Sequence, residues 1–187
     1  EKFLYFPLHF EPERTTNPDG ENFHDQFKAL AALKSSLPED VTILVKEHPS
    51  QFLMSDRGSR GRSPLFYNLI KNIKNLKIVN KDTDSLELIR NCWATATITG
   101  SVAIESALIG KPAIVFGQPW FIGCPNTYKF DEWMNLDLSR PFATEPRDKV
   151  ELFLKQLIQN FGIPMVNNGG QIKYFSKRWY DSEFVKI

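Results

Sequence analysis

An excess of charge of either sign is missing from this chain: 23 lysines and arginines stand against 22 aspartates and glutamates in 187 residues, for a net charge of +1. That balance gives no sign of a surface whose main work is to grip a polyanion, local clusters aside, and no nucleic-acid partner is expected. Cysteine is nearly absent. Cys92 and Cys124 fit neither a zinc-ligand spacing nor a disulfide framework, which points to a reducing, intracellular setting and to thiols in or near the core. No apolar run approaches the length of a membrane span, and no signal peptide, internal repeat or low-complexity stretch is visible. What is present is a globular composition, 42% hydrophobic and 24% charged. The first residues, EKFLYFPL, already read as a strand, so the chain is expected to be a piece of a longer protein.

The hydrophobic pattern alternates between two periods. Phe3 to Leu8 is a short apolar run, and Phe23 to Ser36 follows with helical spacing. VTILVKE from Val41 is a strand apolar nearly throughout, as a strand covered on both faces must be. A polar loop, SDRGSRGRSP, leads to a helix near Leu65 to Ile73, and LKIV from Leu76 is the third strand. Asp84 and Glu87 signal the start of a helix through Arg90. The strand ATATIT, a helix after Ser101 and the strand PAIVF from Pro112 come next. A long loop is expected to hold Trp120 and Trp133, and a last helix to run from Arg147 to Phe161. Strands alternating with helices in this way imply βαβ units, a parallel sheet and right-handed crossovers. The fold class is therefore α/β, a Rossmann-like doubly wound parallel sheet, with a domain over residues 1–162 and a C-terminal tail over 163–187.

Ligands of such sheets bind beyond the carboxyl ends of the strands. At the end of the fourth strand, TITGSVAIESALIG breaks at Thr-Gly-Ser and enters a helix that is apolar almost all round, apart from Glu105. Gly100 permits a tight turn and a close backbone approach, and Ser101 is a good N-cap residue. Thr99, Gly100 and Ser101 thus open a helix whose free N–H groups suit a phosphate. Glu105 lies one turn further on the same side, placed to accept ribose hydroxyls. It is not the capping-box acid of Ser101, a position that belongs to Ile104. The alternative is an ordinary turn with a half-exposed acid.

Strand two ends in KEHP, where His48 can donate to a phosphate and Pro49 fixes the exit path; a plain turn is the alternative. Lys46 and Glu47 read as solvated neighbours. Strand one ends in LHFEPE, whose His9, Glu11 and Glu13 share the same rim. Glu11 is the one that reads as functional, as a general base or a hold on an acceptor sugar. Arg57, Arg60 and Arg62 form either a phosphate clamp or a solvated loop. Trp120 either stacks on a ligand or, the favoured reading, packs on the sheet edge. Asp82-Thr83-Asp84 spells a D-x-D metal motif, yet it directly precedes a helix and reads as a cap; no metal is expected.

FPLHFEPE, VKEHP, ITGSVAIESALIGKPAIVFG and the FY of Phe66-Tyr67 resemble bacterial capsule polysaccharide biosynthesis proteins, the Kdo-transferase-like glycosyltransferases of the GT-B fold. The resemblance covers Phe3 to Trp120. It implies the nucleotide-binding C-terminal half of such an enzyme, with His48 on the donor phosphate, Thr99, Gly100 and Ser101 around it and Glu105 near the ribose. It implies a CMP-sugar donor such as CMP-Kdo and no other cofactor. It also implies a glycan or glycolipid acceptor, a missing N-terminal half carrying the base, and a cytoplasmic place at the inner face of the membrane. UDP-sugar or CDP-glycerol chemistry remains an alternative, as does a non-catalytic nucleotide-binding domain.

Overall fold

The computed structural model describes residues 2–52 and 61–161. Two compact units divide the chain, Glu1–Leu154 and Lys155–Ile187. The expected boundary at 162/163, the tail beyond it, and Arg57 and Arg60 lie outside the described residues.

Strand formation follows the β-branched and aromatic runs. The strands are β1 (Phe3–Pro7), β2 (Thr42–Lys46), β3 (Leu76–Val79), β4 (Ala94–Thr97), β5 (Ala113–Val115) and β6 (Thr127–Lys129). They form one six-stranded sheet in the order β3-β2-β1-β4-β5-β6, with every pairing parallel. That is the Rossmann order, and its direction reverses between β1 and β4. The helices are α1 (Gln26–Ser36), α2 (Pro64–Lys71), α3 (Ser85–Asn91), α4 (Val102–Leu108), α5 (Phe130–Met134) and α6 (Arg147–Phe161).

Alternation along β1 assigns the two faces. Leu4, Phe6 and Leu8 join Ile43, Val45, Ala96 and Ile98 beneath Ala29, Leu30 and Leu33 of α1 and Ile70 of α2. Phe3 and Tyr5 face the other way, with Leu44, and pack on Leu88, Ile89 and Cys92 at α3 and Val102 of α4. Each fully buried large side chain of this kind contributes on the order of 1.5–3 kcal/mol. Both cysteines are buried, and burial pushes their thiols up to about 11.

Caps set the helix starts. Asp25 accepts from Phe27 N–H ahead of α1, and Ser63 accepts from Phe66 N–H with Pro64 in the first turn of α2. The Asp84 carboxylate accepts from Leu86 and Glu87 N–H, so this aspartate of the D-x-D sequence is a cap, while Asp82 pairs with Lys81 on the surface.

Two elements were not expected. The stretch read as a long loop contains β6 and α5, and Trp133 lies fully buried on α5. The three residues of β6 carry no pattern of their own. They are held by tertiary contacts: Tyr128 and Trp133 cluster with Trp93 and Phe142, and the Asn126 side chain bonds Ala107 O and both the N–H and C=O of Glu145. Asn126 has φ of 65°, a left-handed turn that asparagine tolerates better than most residues.

Candidate functional site

The carboxyl ends of β1, β2 and β4 enclose a cleft of about 470 Å³, at the point where the strand order reverses. His48, Thr99, Gly100, Ser101 and Glu105 all line it, joined by His9, Glu13, Lys46, Ser85 and Trp120. These residues, from separate strand ends, therefore share one space.

Local hydrogen bonds fix the state of both imidazoles. His48 Nδ1 accepts from Ser50 N–H at 3.2 Å as the chain turns through Pro49–Gln51. An imidazole that accepts at Nδ1 carries its proton on Nε2, so the free edge of His48 is an N–H donor. Phe10 meets the ring edge-on, with centroids 5.9 Å apart. His9 Nε2 lies 2.9 Å from Thr97 Oγ1 and accepts from Thr99 N–H at 3.4 Å. Thr97 Oγ1 in turn accepts from Gly100 N–H at 3.0 Å, so its own proton goes to His9. This chain holds His9 neutral. Burial, reinforced by His48 and Arg62, lowers its pKa to about 4.

The same bonds revise the expected phosphate cradle. The N–H groups of Thr99 and Gly100 are taken by His9 and Thr97, which leaves Ser101 and Val102, at the start of α4, as the next backbone groups along the cleft lining. Ser101 precedes α4 with helical angles and makes no side-chain cap; its hydroxyl donates to Glu105 Oε1 at 3.1 Å instead. Gly100 is required where it stands, because a Cβ there would lie 2.6 Å from Thr97 Oγ1 and 3.4 Å from the His9 ring. The α4 helix is not buried all round: Val102, Ala103, Ser106 and Ala107 turn inward, and Glu105 is half-buried at the cleft wall.

Glu11 departs from the expectation for a base. It does not line this cleft. Its carboxylate accepts from Gln26 Nε2 at 2.5 Å and pairs with Arg62 at 3.2 Å, while Gln51 clasps its backbone N–H and C=O at 2.9 Å each. Burial raises its pKa. A Cβ on Gly61 would lie 2.1 Å from Glu11 O, so that glycine admits the close approach.

Arg62 is likewise no phosphate clamp. Its side chain is 1% exposed, pairs with Glu47 at 3.1 Å as well as with Glu11, and donates to His9 O at 2.7 Å. Glu47 and Lys46, read as solvated, are both buried. Glu47 is a hub: Oε2 receives Arg62 Nε and the Tyr67 hydroxyl, and Oε1 receives His48 N–H at 2.7 Å. Burial and the Glu47 carboxylate push the Tyr67 phenol upward. Phe66 stacks under the Arg62 guanidinium at 4.6 Å. Trp120 corrects the other way: it is 62% exposed at the cleft mouth and not packed on the sheet edge.

Sequence reasoning missed Gln26, Gln51 and the Arg62–Glu47–Tyr67 cluster as supports of the site. One signal was present for Gln26. It occupies the buried stripe of α1 at the spacing of Leu30 and Leu33, where a polar side chain needs buried partners.

Fold and cleft together define a Rossmann-like half-domain of the GT-B type. The profile of the family described as Capsule polysaccharide biosynthesis protein matches residues 18–132, and the chain belongs to that family. Two solved structures from Thermosulfurimonas dismutans share the fold. KpsC, beta Kdo 2,7 transferase, is 18% identical over 82% of this chain and 44% of that one, with a TM-score of 0.56. KpsC, beta Kdo 2,4 transferase, is 18% identical over 82% and 43%, with a TM-score of 0.53. The present chain thus spans less than half the length of either. No curated protein matches it. Among the described residues, no helix is long and apolar enough to cross a membrane.

Proposed function

We propose that this chain is the donor-binding half of a glycosyltransferase of surface polysaccharide assembly, and that its donor is a CMP-linked sugar. The observation that carries the reading is the convergence of His48 and Glu105 on one cleft at the sheet's switch point. In this reading the His48 Nε2–H and the first-turn N–H groups of Ser101 and Val102 hold the donor phosphate. Glu105, oriented by Ser101, accepts from the ribose hydroxyls. As the bond from the sugar to the phosphate breaks, charge builds on the phosphate oxygens, and donors already fixed in place stabilise it without reorganising. No resident metal ion takes part in this scheme. Trp120, exposed at the mouth, stacks on the sugar or the base. A second half contributes the catalytic base and the acceptor site, and the assembly works at the cytoplasmic face of the membrane.

Calorimetry against CMP, CDP and UDP tests this. CMP is expected to bind, and His48→Ala to weaken it about 10-fold to 100-fold, the equivalent of one hydrogen bond to a charged group at about 1.5–3 kcal/mol. Glu105→Ala is expected to erase the preference for CMP over its 2′,3′-dideoxy analogue. Tighter binding of UDP than of CMP overturns the donor assignment. An affinity untouched by His48→Ala overturns the phosphate site.

A further inference from the structure

Lys46 closes β2, is only 6% exposed, and lines the cleft. Its ammonium donates to Thr83 O at 2.6 Å and to Ser85 Oγ at 2.7 Å, and Ser85 Oγ lies 3.3 Å from the Tyr5 hydroxyl. Both acceptors are neutral. An ammonium has three N–H groups, so one is left over from these two bonds.

A buried cation without a direct ion pair is costly, and buried charges are as a rule paired. Asp84, between Thr83 and Ser85, feels the Lys46 charge but is committed as a helix cap to Leu86 and Glu87 N–H and makes no ion pair with it. Three further carboxylates line the cleft itself, yet none of them pairs with Lys46. Glu47 is occupied by Arg62, Tyr67 and His48 N–H, Glu105 receives Ser101, and Glu13 receives Thr15. Among the described residues Lys46 is also the one lysine or arginine in the cleft lining, since Arg62 is turned away into its ion pairs.

Register separates this charge from the phosphate donors. Lys46 stands opposite Pro7, on the sheet face that carries Tyr5 and packs on α3 and α4. His48 lies beyond the strand end, at the turn through Pro49. The cleft therefore offers two anion-seeking positions, one at the rim made of N–H donors and one at the end of β2 made of the lysine ammonium.

We propose that Lys46, aimed by Thr83 and Ser85, is the counter-charge for a second oxyanion of the ligand, distinct from the phosphate held at His48. This rests on the nucleotide reading above and narrows it to donors with two separate negative groups. Two sources supply that chemistry: the β-phosphate of a nucleoside diphosphate, or the carboxylate of a sugar acid carried on a nucleoside monophosphate.

The test compares CMP, CDP and CMP-N-acetylneuraminate by calorimetry on the wild-type chain, Lys46→Met and Lys46→Arg. The expected result is at least a tenfold preference of wild type for one two-anion ligand over CMP. That preference is expected to fall to within twofold in Lys46→Met and to be largely kept in Lys46→Arg. Preference for CDP assigns the Lys46 position to a β-phosphate, and preference for the sugar nucleotide assigns it to a carboxylate. Thermal melts report whether Lys46→Met folds; if it does not, Ser85→Ala, which removes one of the acceptors that aim the ammonium, is read for the same fall in preference. CMP binding with no gain from a second anion, or a gain unchanged in the variants, overturns this inference alone. Failure of every nucleotide to bind overturns the nucleotide reading with it.

Discussion

Acidification from about pH 7 to about pH 4 is expected to cost this protein stability through one side chain, His9. Its ring accepts at Nε2 from the Thr97 hydroxyl and Thr99 N–H, and burial, then His48 and Arg62, hold its pKa at about 4 instead of 6.5. The folded-state value lies below the unfolded one, so between the two the unfolded chain binds a proton that the folded chain refuses. The stabilisation is fully present above pH 6.5 and is lost as the pH falls toward 4. At about 1.4 kcal/mol per pH unit, that gap amounts to about 3 kcal/mol, a large share of the roughly 5–15 kcal/mol that holds a domain folded. Glu11 works in the opposite sense, because its raised pKa makes acid favour the folded state. The experiment therefore compares two proteins. Urea unfolding of wild type and of His9→Gln is measured at several pH values over this range. The wild type is expected to lose about 3 kcal/mol more than the variant on acidification, with Glu11 common to both. Parallel pH curves for the two proteins would refute the reasoning. A ¹⁵N spectrum of the His9 ring gives an independent check: the neutral form with the proton on Nδ1 is expected throughout the range above pH 5.

Two further outcomes follow from the geometry. Gly100→Ala forces a Cβ within 2.6 Å of Thr97 Oγ1 and breaks the bonded chain from Gly100 N–H to His9. Overpacking of this sort costs about 1–3 kcal/mol, and a lower thermal midpoint with weaker CMP binding is expected; a variant that keeps both at wild-type values removes the case for this turn. Glu47→Ala strips a buried carboxylate from Arg62, Tyr67 and His48 N–H together. Loss of one partner of a buried pair costs about 3–5 kcal/mol, and Glu11 retains part of the Arg62 charge, so denaturant unfolding is expected to show the lower end of that range. A loss below about 1 kcal/mol would mean that the cluster is solvated after all.

The strands that build the sheet centre were legible because their side chains carry the signal themselves. Phe3 to Leu8 reads as a short apolar run and Val41 to Glu47 as a strand covered on both faces, and β1 and β2 are found there. Asp84 was legible because a cap acts over three residues of its own chain. β6 was not, since Thr127–Lys129 holds its place through Asn126, Trp133 and Phe142, none of which marks a strand locally.

The cleft divides in the same way. Gly100, Ser101, Glu105 and His48 were found from their positions at strand ends, because a doubly wound sheet brings those ends to one rim whatever the loops do. The supports of the cleft were misjudged because polarity in a sequence does not say which polar groups will be buried. Lys46 and Glu47 read as solvated until the chain returns at Arg62 and Tyr67 to neutralise Glu47, and at Thr83 and Ser85 to receive Lys46. Those partners come from 15 to 39 positions away in the chain. The distinction matters for chemistry. Glu47 is matched within the protein and so serves the architecture, fixing the backbone N–H of His48. Lys46, buried as deeply, bonds only neutral acceptors while the nearby Asp84 is committed to its helix cap, and the cleft Lys46 lines is where an answering ligand would sit.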